Sequence, residues 1–82
     1  SQSHEGDDDT LSGIERTYQH SLRLIRLSNL PAALDGLLAV LRQDKRYRQG
    51  EPRRVILGIF EILGNDNPIT RQYRNELASI LF

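Results

Sequence analysis

VILGIFEIL, residues 55–63, restricts the fold of this chain more than any other stretch, because seven of its nine residues are large and apolar. Val, Ile and Phe favour strands, so a buried strand is one option. Pro52, three residues before the run, and Gly64, directly after it, favour a helix: Pro is tolerated in the first turn, and Gly takes the left-handed conformation that closes a C-terminus. A helix apolar around most of its circumference has no solvent face and must be covered on more than one side. The expectation is a central helix with the other segments as its covering layers.

Eighty-two residues make one domain with a modest core, a size at which a partner or parent chain adds useful stability. There is no Cys, which excludes disulfides, thiolate metal sites and thiol redox chemistry within this sequence. The longest apolar run is about half the length that spans a bilayer, and residues 1–15 are polar and acidic, unlike a signal peptide. The formal net charge is zero, but Glu5, Asp7, Asp8, Asp9 and Glu15 fall in the first fifteen residues without a single Lys or Arg. Residues 16–82 therefore hold eleven basic and six acidic groups, a surplus of +5. Residues 1–11 read as an acidic disordered leader or linker, with folding back on the basic body as the alternative.

The rest of the chain, 12–82, segments into four helices at about 12–28, 30–43, 52–63 and 68–81. Ser12, with Glu15 three residues on, has the capping-box spacing, and Asp9 or Thr10 is an equally fair start. Ile14, Tyr18, Ser21, Leu22 and Ile25 then share one helical face, broadened by Leu24 and Leu27. Asn29 can cap the second helix with its side-chain oxygen, and Pro31 is tolerated in a first turn. Leu30, Ala33, Leu34, Leu37, Leu38 and Leu41 recur at steps of three and four, and small Ala33 allows close approach of the first helix. So short a connection permits only an antiparallel helical hairpin. Residues 44–51 are a polar loop in which Tyr47 covers the core edge. Asn67 and Pro68 open the last helix as N-cap and first residue, and Ile69, Tyr73, Leu77, Ile80 and Leu81 form its stripe. The fold class expected is all-α.

Residues 14–47 have the length of a tetratricopeptide repeat and resemble one in part. Ala33 and Leu37 match the small-then-large pair of its second helix and Leu24 takes the aromatic position of its first, while Thr17, His20, Ser21 and Lys45 replace the usual Trp, Leu, Gly and Pro. Over residues 16–82 the chain resembles the C-terminal helical domain of the bacterial thioredoxin-like co-chaperones, the chaperedoxin family. Arg54, Leu63-Gly64, Tyr73-Arg74, Leu77-Ala78 and Leu81-Phe82 carry that resemblance. It implies a tetratricopeptide-like antiparallel right-handed stack of four helices, in a cytoplasmic protein whose helical part binds chaperonin or unfolded clients. The family's thioredoxin-like domain has no counterpart in this sequence, which is expected to be the interaction module of a longer protein, without cofactor or redox activity.

No motif supports catalysis. His20 is a single imidazole with no nucleophile placed beside it, His4 lies in the acidic leader, and Asp7, Asp8 and Asp9 lack the alternating ligands and closing Glu of a calcium loop. A basic group, Arg42, Lys45, Arg46, Arg48, Arg53 and Arg54, should rim the loop between the second and third helices. It is either a solvated face or a surface for carboxylate or phosphate. The small net charge and the lack of an aromatic platform argue against nucleic acid. Arg53 and Arg54 stand at a helix N-terminus, where they oppose the helix dipole. Leu24, Leu27, Leu57 and Ile62 lie off the cleanest faces and either pack together or line a groove. The candidate partner-binding residues are Arg42, Arg46, Arg48, Arg53, Arg54, Leu24 and Leu27. The leading expectation is a non-catalytic protein-interaction module, and the alternative is a structural packing or homodimerisation module of a larger protein.

Overall fold

The computed structural model describes residues 12–82; the readings on the acidic leader, His4, the run Asp7 to Asp9 and the alternative helix starts at Asp9 and Thr10 lie outside them. Four α-helices follow in order, α1 (Gly13–Arg26), α2 (Leu30–Gln43), α3 (Glu51–Leu63) and α4 (Pro68–Leu81), with a 3-10 turn at Tyr47–Gly50 before α3. No strand occurs among the described residues, and the fold is all-α.

Each helix starts or stops where particular side chains satisfy backbone groups. Ser12 accepts the Glu15 N–H at 3.1 Å and caps α1. The Glu15 carboxylate does not return the bond, because Gln19 and Arg48 both donate to it. α1 ends in a Schellman arrangement in which Ser28 donates to the Ile25 carbonyl and Asn29 to that of Leu24, with Ser28 left-handed at φ +63. Asn29 consequently makes no side-chain cap for α2, contrary to the sequence expectation. Pro31 in the first turn offers no N–H to it, and its backbone is at φ −95 and ψ 76 rather than in the extended conformation of a capping residue. Asn67 does cap α4, accepting the Ile69 N–H at 2.8 Å. Gly64 closes α3 at φ +91 and ψ 158, a conformation even more restricted to glycine than the left-handed helical one expected.

α2 is the centre of the molecule. Ala33, Leu34, Leu37, Leu38, Val40 and Leu41 are all buried, and α1, α3 and α4 each pack against them. α1 comes close to α2 at Gly36, where a Cβ would stand 2.0 Å from Ser21 Oγ and 3.3 Å from Ser21 Cβ. Ser21 occupies that space while donating to the Thr17 carbonyl at 2.8 Å. Ala33, expected to allow the close approach, is fully buried, and Gly36 is a second position on α2 where a larger side chain would not fit.

α3 corrects the reading of residues 55–63. Pro52, Ile56, Ile59 and Phe60 form one buried stripe, while Leu57 is 40% and Ile62 76% exposed. The helix has a solvent face after all and is not clamped between the hairpin and α4: α2 covers one side of it, and α4 meets it weakly. Apolar content hid the arrangement, since the buried positions follow the three-and-four spacing of an ordinary one-sided helix.

Two tyrosine hydroxyls tie the layers together. Tyr18 of α1 donates to the Glu51 carboxylate at the start of α3, and Tyr73 of α4 donates to Asp35 of α2 at 2.6 Å. Burial, then the Asp35 carboxylate, pushes the Tyr73 hydroxyl up to about 12. Burial, then Glu51, raises Tyr18 in the same direction. On α4, Thr70 buries its hydroxyl without a partner among the described residues.

Candidate functional site

Because α1 and α2 run antiparallel, the C-terminal end of α2 lies beside the N-terminal end of α1, and the loop to α3 closes over both. All the arginines singled out from the sequence gather at this end. Leu24 and Leu27 do not: they sit by the turn between α1 and α2, one helix length away, about 20 Å for fourteen residues. The candidate residues thus divide into a basic end and an apolar end.

At the basic end the backbone makes an unusual turn. Asp44 breaks α2, its carboxylate accepting the Arg46 N–H at 2.9 Å and its carbonyl the Tyr47 N–H at 3.2 Å. Arg48, Gln49 and Gly50 then follow with φ of +50, +57 and +83, three left-handed residues in succession. The cost of two non-glycine residues there is offset by contacts that hold them. The Arg48 guanidinium donates to Glu15 at 2.7 Å and lies over the rings of Tyr18 and Tyr47, at 5.2 and 5.7 Å from their centroids. Tyr47 packs edge-on against Tyr18 at 5.5 Å and is half-buried, covering the core edge as expected. Arg54 reaches back from the first turn of α3 and donates to the Gln49 carbonyl at 3.0 Å. Hydrogen bonds from Gln19 and then from Arg48 hold the Glu15 carboxyl below the usual carboxylate range.

The arginines therefore have different employments. Arg48 and Arg54 stabilise the loop, and Arg42 pairs at 3.6 Å with Glu76 of α4, an exposed pair that contributes little to stability. Lys45, Arg46 and Arg53 are exposed, and their side chains make no ion pair or hydrogen bond among the described residues. Lys45 and Arg46 form, with Gln49 and Gly50, the lining of a shallow depression of about 390 Å³. Gln49 and Gly50 were not singled out from the sequence; Gly50, two residues before Pro52, was the single hint of a sharp turn.

The apolar candidates fare unevenly. Leu24 is half-buried, whereas Leu27 is 75% exposed and, with Leu57 and Ile62, does not pack into the core, contrary to the packing alternative for these three. A second open depression, about 380 Å³, is lined by Leu57, Phe60, Glu61, Gly64, Asn65 and Arg74, with the Arg74 guanidinium 5.5 Å from the Phe60 ring centroid and bonded to Asn65 at 3.0 Å. His20 is exposed beside Arg23, and no group of three or more His, Cys, Asp or Glu placed to hold a metal exists among the described residues. No helix among them is long and apolar enough to cross a membrane.

A family model described as tetratricopeptide repeat matches residues 6–82. Comparison with curated proteins and with solved structures gave no match. Tetratricopeptide domains generally mediate protein–protein contacts and are typically non-catalytic. With the match running through all four helices, the chain belongs to the tetratricopeptide repeat family.

Proposed function

We propose that this chain is a non-catalytic protein-interaction module of the co-chaperone kind, which holds protein partners on the surfaces its four helices present. The observation that supports the interaction-module reading is the tetratricopeptide match from residue 6 to residue 82, which runs through all four helices. The finer attribution, to the helical part of a thioredoxin-like co-chaperone that engages chaperonin or unfolded clients, rests on the sequence resemblance. Several residues that carry it have structural roles here: Arg54 holds the left-handed loop, Gly64 closes α3, Tyr73 bonds Asp35, Arg74 covers Phe60, and Leu77 is core.

The second reading, a packing or homodimerisation module, is supported by the exposure of Leu27, Leu57 and Ile62, apolar side chains that a partner surface could cover. One experiment separates the two. The purified chain is run on size exclusion alone, with bacterial chaperonin, and with a chemically unfolded client. Co-elution with chaperonin or client is the expected result. Self-association alone, with neither partner retained, would replace the co-chaperone reading by the dimer.

A further inference from the structure

We propose that the α2–α3 connection is a docking site for an acidic peptide segment, the Asp and Glu carboxylates of a partner pairing with Lys45, Arg46 and Arg53; the proposal rests on the interaction-module reading and names its partner class. The six cations between residues 42 and 54 are not equivalent. Arg42, Arg48 and Arg54 are held by Glu76, Glu15 and the Gln49 carbonyl. Lys45, Arg46 and Arg53 are left exposed, and two of them wall a depression floored by Gln49 and Gly50. The one carboxylate in the first turn of α3, Glu51, is engaged by the Tyr18 hydroxyl, and none of Lys45, Arg46 and Arg53 pairs with it.

The loop is already fixed in shape. The Arg46 N–H is taken by Asp44, the Arg46 carbonyl by the Gln49 N–H at 2.8 Å, and the Gln49 carbonyl by Arg54. A backbone held in this way loses little further freedom on binding, and guanidinium groups recognise planar carboxylates in two-pronged fashion. A nucleic acid suits the same place less well. It would need a longer track of cations and a free aromatic face, whereas the nearby Tyr47 is packed on Tyr18 and covered by Arg48.

The test uses the full chain and a fluorophore-labelled, end-blocked peptide of glutamates spaced by glycines, with the glutamine version as reference. Expected are salt-sensitive binding of the glutamate peptide alone, amide shifts confined to residues 44–54, and a loss of about tenfold or more in the Lys45→Glu/Arg46→Glu variant. The milder Lys45→Gln/Arg46→Gln pair, checked for folding by circular dichroism, should lose affinity in the same direction. Arg23→Glu/Arg26→Glu makes the same charge change at the apolar end and should bind as the parent does. An equal loss in that variant would show attraction to net charge rather than to this site and would overturn the proposal. So would tighter binding of a single-stranded oligonucleotide, abolished by Lys45→Glu/Arg46→Glu. If the chain retains chaperonin or client but ignores the glutamate peptide, acidic docking fails while the interaction-module reading stands; retention of neither, with the peptide still bound at residues 44–54, would sink the co-chaperone reading and leave acidic docking standing.

Discussion

Ser28 stands where helices most often place glycine, left-handed at φ +63 directly after α1. Its Cβ meets the following carbonyl there, at a cost of about 1–2 kcal/mol, which exceeds the extra backbone entropy a glycine loses on folding. Ser28→Gly should therefore raise stability by about 0.5–1 kcal/mol, seen as a higher urea midpoint with an unchanged slope. A lower midpoint would mean that the hydroxyl contributes more than the strain costs. Left-handed residues other than glycine also mark where local sequence does not determine the backbone. Arg48 and Gln49 are left-handed because Glu15, the Tyr18 and Tyr47 rings and the Arg54 bond to the Gln49 carbonyl keep them there, and no local sequence signal marks a non-glycine residue for that conformation. Asn29 was misread for the converse reason: its residue type suggests a cap, but the Schellman bond had already decided its backbone.

At the level of elements, the helical fold was legible and its hierarchy was not. Periodicity and prolines near helix starts located the four segments, because both act within one helix. Which helix lies at the centre depends on packing between helices. The density of apolar residues in α3 suggested the wrong one, whereas the buried stripe of α2 meets α1, α3 and α4. Of the candidate site, the basic rim was legible from charge spacing, but its division into loop-holding and free cations needed the positions of Glu15 and Glu76, both distant in sequence. The α1–α2 contact gives the sharpest test. Gly36→Ala gains helix propensity of about 1 kcal/mol but forces a Cβ onto Ser21, and overpacking of that kind costs about 1–3 kcal/mol. The net expectation is a lowered melting temperature, recovered in part when Ser21→Gly is added, since that change vacates the space. A mutant more stable than the parent would show that α1 can shift away without loss.

For the molecule as a whole, the two tyrosine clasps set the alkaline limit of stability. The Tyr73 hydroxyl titrates near 10 in an unfolded chain and is pushed up to about 12 in the folded one, so its contribution is complete below pH 10. Above that, the unfolded chain ionises first, and stability should fall from about pH 10 to about pH 12; Tyr18 acts in the same sense. Urea midpoints measured across that range should drop for the parent and drop less for Tyr73→Phe; parallel curves would refute the linkage. On the acid side the sign reverses. Glu15, held below its ordinary value, supports the fold above that value and ceases to do so as pH falls through its lowered one. The span of these clasps along the chain has a temporal consequence. Tyr18 reaches Glu51 across 33 residues and Tyr73 reaches Asp35 across 38, whereas α1 and α2 are near neighbours in sequence. Contacts between near neighbours are expected to form first, which would leave the clasps to close after the rate-determining barrier and to govern how slowly the molecule comes apart rather than how quickly it assembles. Tyr18→Phe should steepen the loss of kinetic lifetime, moving the unfolding limb of a denaturant chevron upward while the refolding limb stays where it was.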